Sequence, residues 1–146
     1  MKVKDILAKK GESIYTILEE KTVYDAISEL VKHGIGALLV LNQDKSLVGI
    51  ISERDILRVC HKHADKLKSL QVKEVMTKEL IVSTLEEDIE NVEYVMTDNR
   101  IRHLPIMSGT ELAGVISIGD IVKNKLTVTT VENLYLRDYI QGKYPG

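Results

Sequence analysis

Gly49-Ile50-Ile51-Ser52-Glu53-Arg54-Asp55-Ile56 decides how this chain is read, because it returns 65 positions later as Gly114-Val115-Ile116-Ser117-Ile118-Gly119-Asp120-Ile121. Each copy reads as a short buried strand running into a helix. A serine stands where a helix N-cap belongs, and a carboxylate follows three residues later, in the first turn, where the helix dipole favours negative charge.

The stretches around the two copies repeat as well. Upstream of the first, Gly36-Ala37-Leu38-Leu39-Val40-Leu41 is an apolar run suited to a strand covered on both faces. A polar turn, Asn42 to Ser46, separates it from its partner strand at Leu47 to Ile51. The second copy offers His103-Leu104-Pro105-Ile106-Met107, a turn at Ser108 to Glu111, and Leu112 to Ile116. Pro105 has no N–H for a ladder, so its position belongs at an edge or at a free N–H. Before these strands, Thr22 caps a helix over Val23 to His33, with Val23, Ala26, Ile27, Leu30 and Val31 at helical spacing and Gly34 as its stop. Asp88 caps the matching helix, whose stripe is Ile89, Val92, Val95 and Met96. Ser13 to Ile17 and Glu79 to Ser83 are the paired extended segments, and Val3 to Leu7 returns as Val72 to Met76. Helices should follow the two motifs, through about His63 and Lys125.

The fold class is therefore α/β (α+β): two modules, each strand, helix, strand, strand, helix. Module 1 spans 1–64, a charged connector 65–71, module 2 72–126, and a tail at 127–146 carries a last helix around Val131 to Gln141.

Composition bounds the function. There are 146 residues, 44% apolar and 29% charged, as in ordinary globular proteins. Without Trp or Phe the core is aliphatic. Twenty basic against 22 acidic residues, a net charge of −2, provides no electrostatic footprint for nucleic acid or an anionic membrane. No apolar run approaches the roughly 20 residues that a membrane span needs, and the charged Met1-Lys2-Val3-Lys4-Asp5 opening does not look like a secretory signal. The single Cys60 forms no internal disulfide, which suits a reducing, cytoplasmic setting. No metal-ligand spacing, Walker loop or dinucleotide fingerprint stands out, since His61 and His63 at i, i+2 face different sides of a helix. Cys60 sits mid-helix on an apolar stripe with Ile56, where a thiol is inert. No base or nucleophile supports an enzyme.

At the repeated Gly-Ile-Ile-Ser-Glu-Arg-Asp and Gly-Val-Ile-Ser-Ile-Gly-Asp the chain resembles the CBS-domain family, in its stand-alone tandem-pair form. Thr22 to Ile27, Ile35 to Leu38 and Arg100 to Ile106 support the resemblance, which covers residues 1 to about 126 firmly and the tail loosely. The resemblance implies pseudo-twofold packing of the modules around two clefts that bind AMP, ADP, ATP, NAD or S-adenosylmethionine, and a homodimer of such pairs. It implies regulation of a separate effector protein, including energy sensing, and no catalysis or catalytic cofactor. Magnesium would come only with a polyphosphate ligand.

By the same resemblance each cleft is assembled crosswise. One uses Ser13, Tyr15, Gly36 and Ala37 with Val115, Ser117 and Asp120; the other uses Ile81, Ile101, Arg102 and His103 with Ile50, Ser52, Arg54 and Asp55. The chemistry fits these types. A first-turn carboxylate, Asp55 or Asp120, can accept from both hydroxyls of a ribose. Gly36 lets a base approach the backbone, and Tyr15 can flank its ring. Helix N-termini offer N–H groups to phosphate. Arg54, Arg102 and His103 supply cations to the second cleft, and Lys9 or Lys10 to the first. Gly119 stands where Arg54 does in the other copy, so the Arg54 cleft is expected to take more phosphate charge. Each residue also has a plainer reading. Both aspartates can serve the helix dipole, both serines can only cap, Tyr15 can be a half-buried strand residue, and Arg54 can pair with Glu53 or Asp55. The rival function is a structural or adaptor homodimer with no physiological nucleotide.

Overall fold

The structure of the chain is a computed structural model, and it describes residues 1–11 and 14–126. The elements run α1 (Val3–Lys10), β1 (Thr16–Leu18), α2 (Val23–His33), β2 (Ala37–Leu41), β3 (Leu47–Ser52), α3 (Glu53–His63), α4 (Val72–Val75), β4 (Ser83–Thr84), α5 (Ile89–Asn99), β5 (His103–Ser108) and β6 (Glu111–Ser117). A 3-10 turn, Ala64–Lys66, follows α3. Residues 118–126 are helical and are labelled α6. Ser13 and the expected helix at 131–141 lie outside the described residues.

Local chemistry sets the element ends. The Thr22 hydroxyl accepts the Asp25 N–H at 3.1 Å while the Asp25 carboxylate accepts the Thr22 N–H at 3.0 Å, so α2 begins with two backbone donors satisfied. It buries Val23, Ala26 and Leu30 and stops at Gly34, in the left-handed region with φ 62°. Val31, which the helical spacing puts on the apolar stripe, is exposed. Helix α5 buries Ile89, Val92 and Met96 and stops at Arg100, which adopts the same left-handed geometry without being glycine (φ 55°).

The strands form two three-stranded sheets, in the orders β1-β2-β3 and β4-β5-β6. In the first, β1 runs parallel to β2 from Thr16↔Leu39, and β2 runs antiparallel to β3 from Ala37↔Ser52. Leu38, Leu39 and Val40 are buried, as a strand covered on both faces requires. The second sheet differs at one point. Its parallel pair starts at Ser83↔Ile106, and β4 has two residues where β1 has three. Pro105 is the counterpart of Leu39, whose N–H donates to the Tyr15 carbonyl at 3.2 Å. Without that donor, the parallel ladder begins one residue later. Strand β5 is the middle strand, so Pro105 is not on an edge and stands where the ladder to β4 has yet to begin.

The described residues divide into two packing units, one of residues 1–11, 83–109 and 113–126, the other of residues 14–82 and 110–112. The second has a core of Ile17, Ala26, Leu30, Leu38, Val40, Ile51 and Val72, with Val75 and Met76 packed against it. In the first, the buried side chains include Val3, Ile6, Val92, Met96, Leu104, Ile106 and Ile116. Packing therefore cuts the chain elsewhere than the repeat does. Helix α1 belongs with the second copy of the repeat and α4 with the first. The two attachments match: Val3 and Lys4 donate to the carbonyls of Glu87 and Leu85 (2.9 and 3.0 Å), and Val72 and Lys73 donate to those of Lys21 and Glu19 (2.7 and 2.9 Å).

Candidate functional site

The glycines that open the two motifs face these exchanged helices. A Cβ on Gly49 would stand 2.5 Å from Met76 Sδ and 3.0 Å from the Thr77 carbonyl oxygen, and one on Gly114 would stand 3.0 Å from both Leu7 methyl groups. Their bareness is a packing requirement of α1 and α4.

From that anchor each motif runs to its helix start. In residues 13–82, the first N–H of α3, on Glu53, donates to the Gly36 carbonyl at 3.0 Å, and Ala37 pairs with Ser52. Ile50 exchanges backbone hydrogen bonds with Thr77 (3.0 and 2.9 Å). Gly36, Ala37, Ile50, Ser52 and Asp55 are thus gathered at one end of one sheet. Tyr15 is half-buried, its ring stacked on His33 with centroids 4.2 Å apart, and His33 contacts Glu29 at 3.1 Å. Ile81 is half-buried in the same unit, and Arg54 is exposed.

The other unit repeats the arrangement. The first N–H of α6, on Ile118, donates to the Arg102 carbonyl at 2.8 Å, which sets Arg102 beside Ser117 and Asp120. Ile101 closes the end of α5 by donating to Met96 at 3.0 Å. Arg102 is exposed, and Ile101 and His103 are half-buried. Each unit therefore brings together its own copy of the motif residues: Gly36 and Ala37 lie with Ser52 and Asp55, and Arg102 with Ser117 and Asp120.

The serine–aspartate spacing is less specific than the repeat suggests. An acidic side chain three residues after the cap reaches back to the cap N–H at Asp5, Asp25, Asp55, Glu74 and Asp120, at 2.7–3.0 Å. Asp5, Asp25 and Glu74, at the starts of α1, α2 and α4, use the device without being candidate ligand residues, so capping alone accounts for the spacing. What separates Asp55 and Asp120 from the others is a second partner from a distant part of the chain. Asp55 is 5% exposed and accepts the Ser52 N–H (2.9 Å), the Ser52 hydroxyl (3.2 Å) and the Thr77 hydroxyl (3.2 Å). Arg58, rather than Arg54, places a guanidinium 3.6 Å away. Asp120 accepts the Ser117 N–H at 2.8 Å and the Lys10 ammonium at 2.8 Å, and Lys10 also donates to the Val115 carbonyl at 3.0 Å. Burial pushes the Asp120 carboxyl up, but the Lys10 ammonium and the Ser117 N–H outweigh it and hold the group below the usual carboxylate value. The Ser117 hydroxyl accepts the Asp120 N–H at 3.1 Å and keeps its own proton to donate.

Thr77 escaped the sequence reading, and Lys10 was visible only as one of two lysines near the start. A shift of 69, which aligns α1 with α4, sets Thr77 against Ala8 and Lys10 against Glu79, so the repeat carries no signal for either. A groove of about 420 Å³ along β1 and α2, from Thr16 to Glu29, contains none of the anticipated residues. Among the described residues no cluster of His, Cys, Asp or Glu is placed to hold a metal ion, and no helix is long and apolar enough to cross a membrane.

The model of the CBS domain matches residues 3–62 and 72–126. The chain belongs to the CBS-domain family. It is 37% identical over 150 residues to the mitochondrial CBS domain-containing protein CBSX3 of Arabidopsis thaliana, covering 97% of this chain and 73% of that one. A solved putative signal-transduction protein with CBS domains from Burkholderia ambifaria is 36% identical, with a TM-score of 0.82 over 87% of this chain and 95% of that one. The CBS domain pair of protein MJ0100, solved in complex with 5′-methylthioadenosine and S-adenosyl-L-methionine, is 27% identical, with a TM-score of 0.73 over 84% and 94% of the two chains. The protein is accordingly a tandem CBS pair of mixed α+β structure, and CBS pairs are regulatory modules.

Proposed function

We propose that this CBS pair is a sensor of adenosine-containing ligands, in the class of AMP, ADP, ATP, NAD and S-adenosylmethionine, and that ligand binding alters a separate effector protein through the conformation or dimer packing of the pair. The observation that carries the reading is the likeness to a CBS pair in complex with two adenosine compounds, 5′-methylthioadenosine and S-adenosyl-L-methionine. The residues give it a chemical form. Asp120 and Asp55 accept the ribose hydroxyls, Ser117 and Ser52 stand beside them, and Gly36 leaves its backbone open to a base. Tyr15, Arg54, Arg102 and His103 supply the ring and the cations. The protein acts as a homodimer in the cytoplasm, a location in keeping with one cysteine and no internal disulfide. It binds and does not catalyse, and energy sensing is the role that an AMP and ATP response would serve.

Asp55 supports a second reading for its own end of the molecule. A carboxylate 5% exposed and already accepting three hydrogen bonds is a structural cap, as an adaptor protein would have at both ends. A thermal-shift series with AMP, ADP, ATP, NAD and S-adenosylmethionine separates the two. A sensor gains about 2.7 kcal/mol at a hundredfold excess of ligand over Kd, whereas an adaptor melts at the same temperature throughout. Asp120→Ala should abolish the response of its site.

A further inference from the structure

We infer that Lys10 sets the ligand class at the Asp120 helix start, favouring adenosine compounds that carry a negative group close to the ribose over neutral ones. The inference rests on the sensor reading above and adds a specificity-determining residue to it. An ammonium has three N–H donors. Two of those on Lys10 go to Asp120 Oδ2 and the Val115 carbonyl, at 2.8 and 3.0 Å, and among the described residues the third is left for a ligand. Among the described residues Asp120 keeps Oδ1 as an acceptor, since the Ser117 N–H and Lys10 both fall on Oδ2. The side chains of the pair are 31% and 20% exposed, so a ligand can reach both. An acceptor for a hydroxyl thus stands next to two donors for an anionic oxygen, the third Lys10 N–H and the Ser117 hydroxyl. A ribose bearing a phosphate presents the complementary groups, and adenosine presents only the hydroxyls.

At Asp55, Oδ2 accepts the Ser52 N–H and the Ser52 hydroxyl, Oδ1 accepts the uncharged Thr77 hydroxyl, and Arg58 stands 3.6 Å from Oδ1 on a side chain 68% exposed. The preference for a charged ligand therefore belongs to the Asp120 start. The sequence pattern alone puts the greater phosphate charge at the Arg54 cleft instead.

Calorimetric titration of the full chain with AMP and with adenosine tests the inference, using wild type, Lys10→Met, Lys10→Gln, Lys10→Arg and Arg102→Met. A charge-assisted hydrogen bond corresponds to roughly ten- to a hundredfold in affinity. Wild type should bind AMP at least tenfold more tightly than adenosine, Lys10→Met should bring that ratio near one by weakening AMP alone, and Lys10→Arg should restore it. Lys10→Gln keeps a neutral donor on α1 and repeats the measurement should Lys10→Met unfold. A ratio unchanged in the neutral Lys10 variants, or one that collapses only in Arg102→Met, overturns the inference and leaves the sensor reading standing. Absence of binding of both compounds to wild type overturns the inference, and the thermal-shift series with ADP, ATP, NAD and S-adenosylmethionine then decides the sensor reading.

Discussion

A methyl group at position 49 meets Met76 Sδ at 2.5 Å and the backbone oxygen of Thr77 at 3.0 Å, whereas one at position 114 meets only the ends of Leu7 at 3.0 Å. The thioether of Met76 can swing aside. The Thr77 carbonyl is less free, because it accepts the Ile50 N–H at 3.0 Å. Gly49→Ala should therefore cost about 1–3 kcal/mol by overpacking, and Gly114→Ala less, because a leucine side chain can give by a few tenths of an ångström. Urea unfolding midpoints at constant m-value measure both, and equal losses at the two sites would contradict this account. Asp120 supports a prediction in pH. Its carboxyl lies below its unfolded value of 3.8, so on acidification the unfolded chain takes up this proton first. The stability it contributes is present in full above the unfolded value and is lost as the pH falls through the folded one. Asp120→Asn should lower stability at neutral pH, and its curve should converge with wild type below about pH 4. Curves that stay parallel to the most acid point would show that Lys10 and Ser117 do not hold the charged form.

At the scale of elements, α2 and α5 end alike with different residues in the same left-handed position. The Gly34 N–H reaches the carbonyls of Leu30 and Val31, and the Arg100 N–H those of Met96 and Thr97. A side chain in that region costs about 1–2 kcal/mol, part of which glycine returns through its freer unfolded chain. Arg100→Gly should raise stability by about 0.5 kcal/mol and Gly34→Ala should lower it by about 1 kcal/mol, read from melting temperatures at one pH. Elements of this kind were legible in the sequence because their signals are local. Thr22, Gly34 and the apolar run at Leu38–Val40 each act on neighbours a few residues away, and α2 and β2 stand close to where those residues put them. The ladder lost at Pro105 was half-legible: the missing N–H was plain, but not that the strand opposite would begin one residue later. The partners of the two aspartates were not legible, since Thr77 reaches Asp55 across 22 residues and Lys10 reaches Asp120 across 110. No periodicity or spacing encodes such a meeting.

For the molecule as a whole, the duplication and the packing divide the chain differently. Each copy of the repeat lends its first helix to the core of the other, and Val3 and Val72 are both fully buried by the exchange. A body of some 60–70 residues is marginal by itself, with a total stability of about 5 kcal/mol or less. Loss of one large buried aliphatic side chain removes about 2–5 kcal/mol of that. Cutting at the repeat boundary should thus be decisive. A fragment of residues 1–64 retains β1 to α3 but lacks Val72, Val75 and Met76, which fill the core beneath them. A fragment of residues 13–82 retains all three, together with the Thr77 hydroxyl on Asp55 and the paired backbone bonds between Ile50 and Thr77. The 13–82 fragment should unfold cooperatively in urea, with slow amide exchange along β2 and β3, and 1–64 should show neither. A 1–64 fragment as stable as 13–82 would mean that α4 is an ornament on the first core. The exchange predicts instead that α4 completes it, as α1, through Val3, Ile6 and the Lys10 contact with Asp120, completes the second.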